Sequence, residues 1–252
     1  MASSEPRLAV VILAAGKGKR MKKAKSPKVM EPLDNRPMVE LVTHLAFRLH
    51  PELILIVVGH QKDMVIDHIR KLFPSAEFVE QREQLGTGHA VLQTQESLEG
   101  FDGIVLVLSA DVPLLRGRTL ERLLNLHLEK RAVATVLTAE FDNPQGYGRI
   151  VRNPDGMLKK IVEEKDADPE TRKIREINSG VYVFKKRALF EALSHITPEN
   201  AQHEYYLPDV FEYFWRNHWN VAGYITDRPD ETVGVNSMQE LDRARKLYEI
   251  RS

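Results

Sequence analysis

The apolar run from Leu8 to Ala15 constrains this chain more than any other stretch. Its length and β-branched content predict a strand buried on both faces, which places it inside a sheet rather than at an edge. The run breaks at Gly16 and Gly18, where missing Cβ atoms permit a tight turn and let backbone N–H groups approach a ligand closely. Lys17, Lys19, Arg20, Lys22, Lys23, Lys25 and Lys28 follow, seven cations within twelve positions of a chain whose formal net charge is zero. The positive charge is therefore local, and polyphosphate is the ligand it suits. A solvated glycine turn carrying surface lysines is the competing reading.

Two familiar phosphate loops fail here on spacing. A P-loop requires a second glycine where Met21 stands. The dinucleotide fingerprint starts correctly at Gly16 and Gly18, but Met21 again fills the position where close helix packing wants a small residue. A simple ATPase and a nicotinamide enzyme are both disfavoured.

With 252 residues, 42% hydrophobic and 29% charged, the chain predicts a globular protein with a substantial core, as one large α/β domain or two smaller ones. It has no cysteine, so a metal would bind through oxygen or imidazole. Balanced charge gives no support for a nucleic-acid or membrane partner, and no apolar segment approaches the ~18 residues of a membrane span. The N-terminal MASSEPR does not read as a signal peptide, so a cytoplasmic location is the expectation.

Beyond the loop, Pro37 suits a first helical position, and Met38, Leu41, Val42, Leu45 and Leu49 recur at helical spacing. A second buried strand is predicted over Leu53 to Val58, then a helix from about Lys62 to Phe73 and a short strand near Glu77 to Val79. This β-α-β-α-β order predicts a largely parallel sheet covered by helices, with ligands at the carboxyl ends of its strands. The segment from Gln81 to Ala90 offers backbone amides, a hydroxyl at Thr87 and the amides of Gln81 or Gln84, groups able to read a base edge. It leads into a helical pattern over Val91 to Leu98, and a plain helix-initiating loop is the alternative. His89 reads as structural.

Ile104 to Leu108 predicts another central strand, and Asp111 just beyond it is the first metal-ligand candidate. Mg²⁺ takes one or two protein oxygens together with substrate phosphates, so a lone aspartate suffices; a turn aspartate is the other reading. A Leu-rich helix over Leu120 to Leu128 and a strand over Ala132 to Ala139 follow. Segments around Tyr147 to Ile150, Ile161 to Lys165 and Glu176 to Phe184 then predict strands with polar groups at their ends, completing a pocket for a second substrate. The aromatic helix containing Phe211, Tyr213, Phe214 and Trp215 reads as core. Val233 to Asn236 predicts a strand end, and Ser237 to Glu240 a capping box. Asn236 either completes a metal site or assists that cap.

Taken together, LAAGKGKRM with Pro27 and Lys28, EQLGTGHAV, DVPLL, YGRI, IVEEKDA, EINSGVYVF, NAQ-x-EYY and GVN resemble the sugar-nucleotide pyrophosphorylases, most closely the uridylyltransferase domain of bacterial bifunctional N-acetylglucosamine-1-phosphate uridylyltransferase/glucosamine-1-phosphate acetyltransferases. The resemblance covers almost the whole chain. It implies an α/β fold with a doubly wound, mixed and mostly parallel sheet of Rossmann-like type, in a single domain over 1–252. Residues 1 to about 115 would bind nucleotide and about 116–252 the sugar. It implies formation of UDP-N-acetylglucosamine and pyrophosphate from UTP and N-acetylglucosamine 1-phosphate, with Mg²⁺ as cofactor; the alternatives are a uridylyl-, thymidylyl- or cytidylyltransferase for another sugar phosphate, or a non-catalytic nucleotide-sugar-binding domain.

By the same resemblance, Leu13, Ala14, Ala15 and Gly16 would hold the nucleotide, and Gln81, Gly86 and Thr87 would read uracil. Arg20 and Lys28 would act on the phosphates, and Asp111 and Asn236 would hold the metal. Gly148, Glu163, Asn178 and Tyr206 would contact the amino-sugar phosphate, with Lys165 near its phosphate. The sequence departs from the family where Ala110 and His203 replace usual glycines and Pro208 a usual threonine. It also stops where the family's left-handed β-helix acetyltransferase domain would begin. That activity and its trimer contacts are expected to be absent, leaving a monomer or weak oligomer.

Overall fold

The computed structural model describes residues 6–16, 18 and 26–250. The first apolar run forms β1 (Leu8–Leu13), and a short hairpin, β2 (Pro32–Leu33) and β3 (Arg36–Pro37), leads into α1 (Met38–Phe47). There follow β4 (Leu53–Val58), α2 (Lys62–Leu72), β5 (Glu77–Glu80), α3 (Thr87–Leu92), β6 (Ile104–Ser109), α4 (Gly117–Glu129) and β7 (Ala134–Glu140). The second half adds β8 (Arg149–Arg152), β9 (Leu158–Val162), α5 (Pro169–Arg172), β10 (Glu176–Lys185), α6 (Lys186–Leu193), α7 (Val210–Arg216), β11 (Val221–Ile225) and α8 (Met238–Glu249).

The main sheet runs β11-β7-β10-β6-β1-β4-β5, with β8 and β9 attached beside β10. β1 pairs in parallel with both β4 and β6, whereas β10 runs antiparallel between β6 and β7. The chain moves outward from β1 to β4 and β5, then returns to lay β6 on β1's other side. This reversal opens a crevice at the carboxyl ends of β1 and β6, the place where open α/β sheets hold ligands.

Alternation along the central strands feeds two separate cores. Ala9 and Val11 of β1, Leu55 and Val57 of β4, and Val105 and Val107 of β6 pack with Leu189 of α6 and Phe211 and Phe214 of α7. The intervening Val10, Ile12, Ile54, Ile56 and Leu106 pack with Val42 of α1, Ile69 of α2 and Leu120 and Leu123 of α4. Every residue from Ala9 to Ile12 is fully buried, which explains a run with no polar alternation. A third cluster, including Leu33, Leu114, Val233, Val235 and Leu241, ties α8 to the crevice.

Three predicted boundaries need correction. Pro37 is not the first helical residue; it ends β3 and caps α1, which starts at Met38. The helix expected over Val91 to Leu98 instead begins at Thr87 and ends at Leu92. Gly88 is inside this helix, and its missing side chain makes room for neighbours: an added Cβ would stand 2.6 Å from Ile196 Cδ1 and 3.0 Å from the Tyr205 carbonyl. Beyond Leu92, the Thr94 hydroxyl donates to the Val91 carbonyl at 2.7 Å, a side-chain bond that competes with helical continuation. Val233 to Asn236 forms no strand. It follows a 3-10 turn over Pro229–Thr232 and makes one backbone bond across the crevice, from Val235 N–H to the Asp111 carbonyl at 2.8 Å.

β10 changes register between Asn178 and Tyr182, with Gly180 at φ +78°. The Ser179 hydroxyl donates to the Leu137 carbonyl at 2.6 Å, and the Gly180 N–H donates to Asn178 Oδ1 at 3.1 Å. This irregularity fixes the Asn178 amide at the crevice end of an otherwise regular strand.

Candidate active site

A cleft of about 190 Å³ lies at that crevice and is lined by Leu13, Thr87, Asp111, Gly148, Glu163, Asn178 and Asn236 among others. Seven of the sequence-predicted residues, drawn from β1, β6, β9, β10 and their connections, thus share one wall system. The volume is below the ~300–1,000 Å³ of a complete small-molecule site.

Lys28 is not itself a lining residue but bonds two that are. The ammonium donates to Asp111 Oδ2 and, at 2.9 Å, to Asn236 Oδ1. The Lys28 and Asp111 side chains are only 10% and 24% exposed, so the pair is poorly screened. Asn236 is held from behind: its N–H donates to Glu240 Oε2 at 2.7 Å, while Ser237 Oγ accepts from the Glu240 N–H at 3.3 Å. Asn236 therefore serves the cap through its backbone and the cleft through its side chain. Both oxygens converge on one cation, so the donor set fits a hard divalent metal that takes its remaining ligands from phosphates and water. Among the described residues there is no group of three or more Asp, Glu or His that could hold a metal ion.

Across the cleft, the added Cβ of a residue at Gly148 would come within 3.1 Å of Glu163 Oε1 and 3.3 Å of Asn178 Cβ. The missing side chain lets the carboxylate and amide approach each other. The Glu163 carboxyl is pushed up to about 7, first by burial and then by Asp166, against a hydrogen bond from Asn178. Asn178 Nδ2 donates to the Tyr182 hydroxyl at 2.7 Å, which orients the amide. Asp209, which sequence reasoning passed over, is likewise pushed up to about 7 by burial and by Glu163. Burial is the first cause in both, and it disfavours the ionised form.

The remaining predicted residues occupy supporting positions. Ala14 and Ala15 are buried and Gly16 is exposed, with open space where a Cβ would stand. Gln81, only 3% exposed, donates its amide to the Gly86 carbonyl at 3.0 Å and contacts His89 Nδ1 at 3.1 Å. It braces the loop with its N–H groups and has its Oε1 left. Gly86 at φ +110° lies against Tyr205, whose N–H donates to the Leu85 carbonyl at 2.7 Å. Thr87 Oγ1 accepts from Leu207 N–H at 3.0 Å.

Tyr206 is buried, its hydroxyl accepts from Gln202 Nε2 at 2.7 Å, and Gln202 Oε1 in turn accepts from exposed Lys165 at 2.6 Å. That relay joins two motifs read separately in the sequence. Arg20 and the other loop cations before Lys28 lie outside the described residues.

The three departures have distinct consequences. Ala110 is buried, with its N–H donating to the Leu13 carbonyl at 3.0 Å, and it is not among the residues with positive φ, so a side chain costs nothing there. His203 sits at φ +54°, a conformation in which glycine is more comfortable. Pro208 is buried at the cleft wall within a 3-10 turn, Leu207–Asp209.

Sequence reasoning also missed Arg149. It is 2% exposed and donates to the Tyr147 carbonyl, while its guanidinium pairs with Glu164 at 2.8 Å, behind Gly148 and Glu163. An arginine between a tyrosine-glycine pair and a strand gave no periodic signal of burial.

Residues 9–229 match the family described as Nucleotidyl transferase. The chain belongs to this family. It is 46% identical over 241 residues to the bifunctional protein GlmU of Listeria monocytogenes serotype 4a (strain HCC23), covering 96% of this chain and 52% of that protein. It is 46% identical over 234 residues to GlmU of Bacillus velezensis, covering 93% and 50%. The chain thus spans about half the length of the curated relatives it matches.

A crystal structure of UDP-glucose pyrophosphorylase complexed with UDP-glucose superimposes with a TM-score of 0.76 at 20% identity, over 98% of this chain and 100% of that one. The fold is that of the nucleotidyl transferases, as the motif resemblance implied. No helix among the described residues is long and apolar enough to cross a membrane.

Proposed function

We propose that this nucleotidyl transferase makes UDP-N-acetylglucosamine and pyrophosphate from UTP and N-acetylglucosamine 1-phosphate, with Mg²⁺ as cofactor. The observation that carries the reading is Lys28 held between Asp111 and Asn236 at one end of a cleft whose other end presents Glu163 and Asn178. One end is organised around a cation that phosphates would recruit, the other around hydroxyl and amide recognition. Similarity to the GlmU proteins and the full motif set support the choice of substrates.

An oxygen of the sugar phosphate forms a bond to the α-phosphorus of UTP in line with the bond that breaks, and the electron pair leaves with pyrophosphate. The attacking phosphate, with a second pKa of about 6, is already anionic, so no side chain needs to remove a proton. The protein's task is to align like-charged groups and to stabilise charge in the transition state. Lys28 does so on the phosphates, with Arg20 assigned the same work from the loop. Asp111 and Asn236 would hold the Mg²⁺, which supplies Lewis-acid stabilisation of phosphoryl oxygens.

Glu163 and Asn178 orient the acceptor through its hydroxyls and acetamido group. A pocket that pairs with the acetamido group leaves polar atoms unsatisfied with glucose, at about 1–3 kcal/mol per lost partner. Pro208, lacking a hydroxyl, favours a second reading in which the same chemistry serves another sugar 1-phosphate.

Pyrophosphate release with UTP and Mg²⁺ across N-acetylglucosamine, glucosamine and glucose 1-phosphates tests both. N-acetylglucosamine 1-phosphate should have the highest kcat/KM, and Asn178→Ala should narrow its lead over glucose 1-phosphate. Equal kcat/KM for these two sugars in the unmodified protein would show that the acetamido group is not read. No release with any sugar phosphate would remove the enzymatic reading altogether.

A further inference from the structure

A second and larger cavity, about 870 Å³, opens at the opposite edge of the sheet, where Arg7 precedes β1, Ile104 begins β6, Val133 precedes β7 and Lys185 ends β10. The length of a strand, roughly 17–20 Å, separates it from the cleft at Leu13. Two features of its lining ask for the same kind of partner.

The first is apolar surface: Leu128 of α4 is 40% exposed, and the Trp219 ring borders the cavity while stacked on Phe214 at 5.5 Å. The second is charge. Five lining side chains are cationic and two are acidic. Arg7 pairs with Glu52 and Arg187 with Asp102, but Arg131, Lys185 and Lys186 have no carboxylate partner among the described residues.

Beneath them lies a buried orphan. His127, 1% exposed, lines the cavity; its Nδ1 meets the Thr135 hydroxyl at 2.9 Å, and its Nε2 has no partner. Nε2 is closed off from the cavity, so the imidazole belongs to its floor and is not a contact for a ligand. Burial and the neighbouring Lys185 push the imidazole down to about 4, so the ring is neutral at physiological pH.

We propose that this cavity binds a small anionic molecule with a flat apolar body, seated against Trp219 and Leu128. Its phosphate or carboxylate lies among Arg131, Lys185 and Lys186. Such a site is separate from both substrates of the cleft and could take a regulator.

Titration of the ¹⁵N-labelled full chain with 1-naphthyl phosphate, 1-naphthoate and neutral 1-naphthol, followed by NMR, tests this. The Trp219 indole N–H and the backbone amides flanking His127 and Lys185 should shift saturably, while those of Gly148 and Asn178 stay in place. At least one anion should bind tenfold or more tightly than 1-naphthol, and comparison of the two anions identifies the preferred acidic group. Leu128→Asp should weaken the tighter anion at least tenfold; should that variant fail to fold, Lys185→Glu carries the same expectation.

Equal affinity for 1-naphthol, shifts confined to the cleft, or affinity unchanged in a folded variant would overturn the proposal. So would a dimer at the same concentration that Leu128→Asp disperses, which would assign the cavity to a second copy of the chain.

Discussion

Replacing Glu163 by glutamine should stabilise the protein above neutral pH and leave it nearly unchanged in acid. The carboxyl titrates at about 7 in the folded protein against 4.5 as its ordinary value. Below about pH 4.5 both folded and unfolded chains hold the proton, and burial carries no ionic penalty. Between about 4.5 and 7 the folded protein keeps a proton that the unfolded chain has released, so stability falls as pH rises; above about 7 the loss is complete. At about 1.4 kcal/mol per pH unit, the full loss is on the order of 3 kcal/mol, or roughly 6–12 °C in Tm for a chain of this size. Glutamine cannot ionise, yet it retains an oxygen for the Asn178 amide.

Calorimetric melting of both proteins at pH 5 and pH 8 checks this: the variant should melt higher at pH 8, with most of its advantage gone at pH 5. Asp209 strengthens the expectation, because Glu163 is the second cause of its own raised value and losing that charge relieves it too. A difference in Tm that is the same at both pH values, or a variant less stable at pH 8, would refute the reasoning. Turnover should fall in the same variant, the usual opposition between stability and a site built for ligand.

Arg149→Met removes a guanidinium that pairs with Glu164 at 2.8 Å and leaves that carboxylate without its buried partner. A loss of about 3–5 kcal/mol by urea unfolding is expected, partly recovered on adding Glu164→Gln, and a loss under 1 kcal/mol would show the pair to be dispensable. Gly86→Ala puts a Cβ 2.5 Å from the Tyr205 carbonyl at φ +110°, so Tm and UTP affinity should both drop, and unchanged UTP binding would detach this turn from the nucleotide. Asp111→Ala should reduce turnover by at least about a hundredfold while far-UV circular dichroism is retained, and near-normal rates at low Mg²⁺ would make Asp111 structural.

What was legible in the sequence was whatever periodicity or local chemistry encodes. The runs at Leu8, Leu53 and Ile104 had no polar alternation because helices cover both sheet faces, and they became the three adjacent parallel strands. The position of Asp111 at the cleft was legible because it lies just past the carboxyl end of such a run. The helix at Thr87 was placed late because the neighbours that pack against Gly88, Ile196 and Tyr205, are distant in sequence. Val233 to Asn236 looked like a strand end from composition, yet a single bond to Asp111 replaces a ladder. The meeting of Lys28 with Asp111 and Asn236 spans 83 and 208 residues, and no local pattern announces it. Arg149 escaped for the same reason, since its burial is decided by Glu164 and the Tyr147 carbonyl rather than by its neighbours' hydropathy.

On the proposed function, because Lys28 already pairs with Asp111, admission of a divalent ion would be an exchange of one cation for another. A free ion must displace the ammonium or tolerate it at close range, whereas a triphosphate gives the displaced lysine somewhere favourable to go. Metal and nucleotide are thereby thermodynamically linked: each should tighten the other's binding by the same factor. The ion alone should be a poor ligand at concentrations where it binds readily with UTP. A single lysine, in this view, makes the cleft an entry lock for the pair and spares it from collecting stray divalent ions between turnovers.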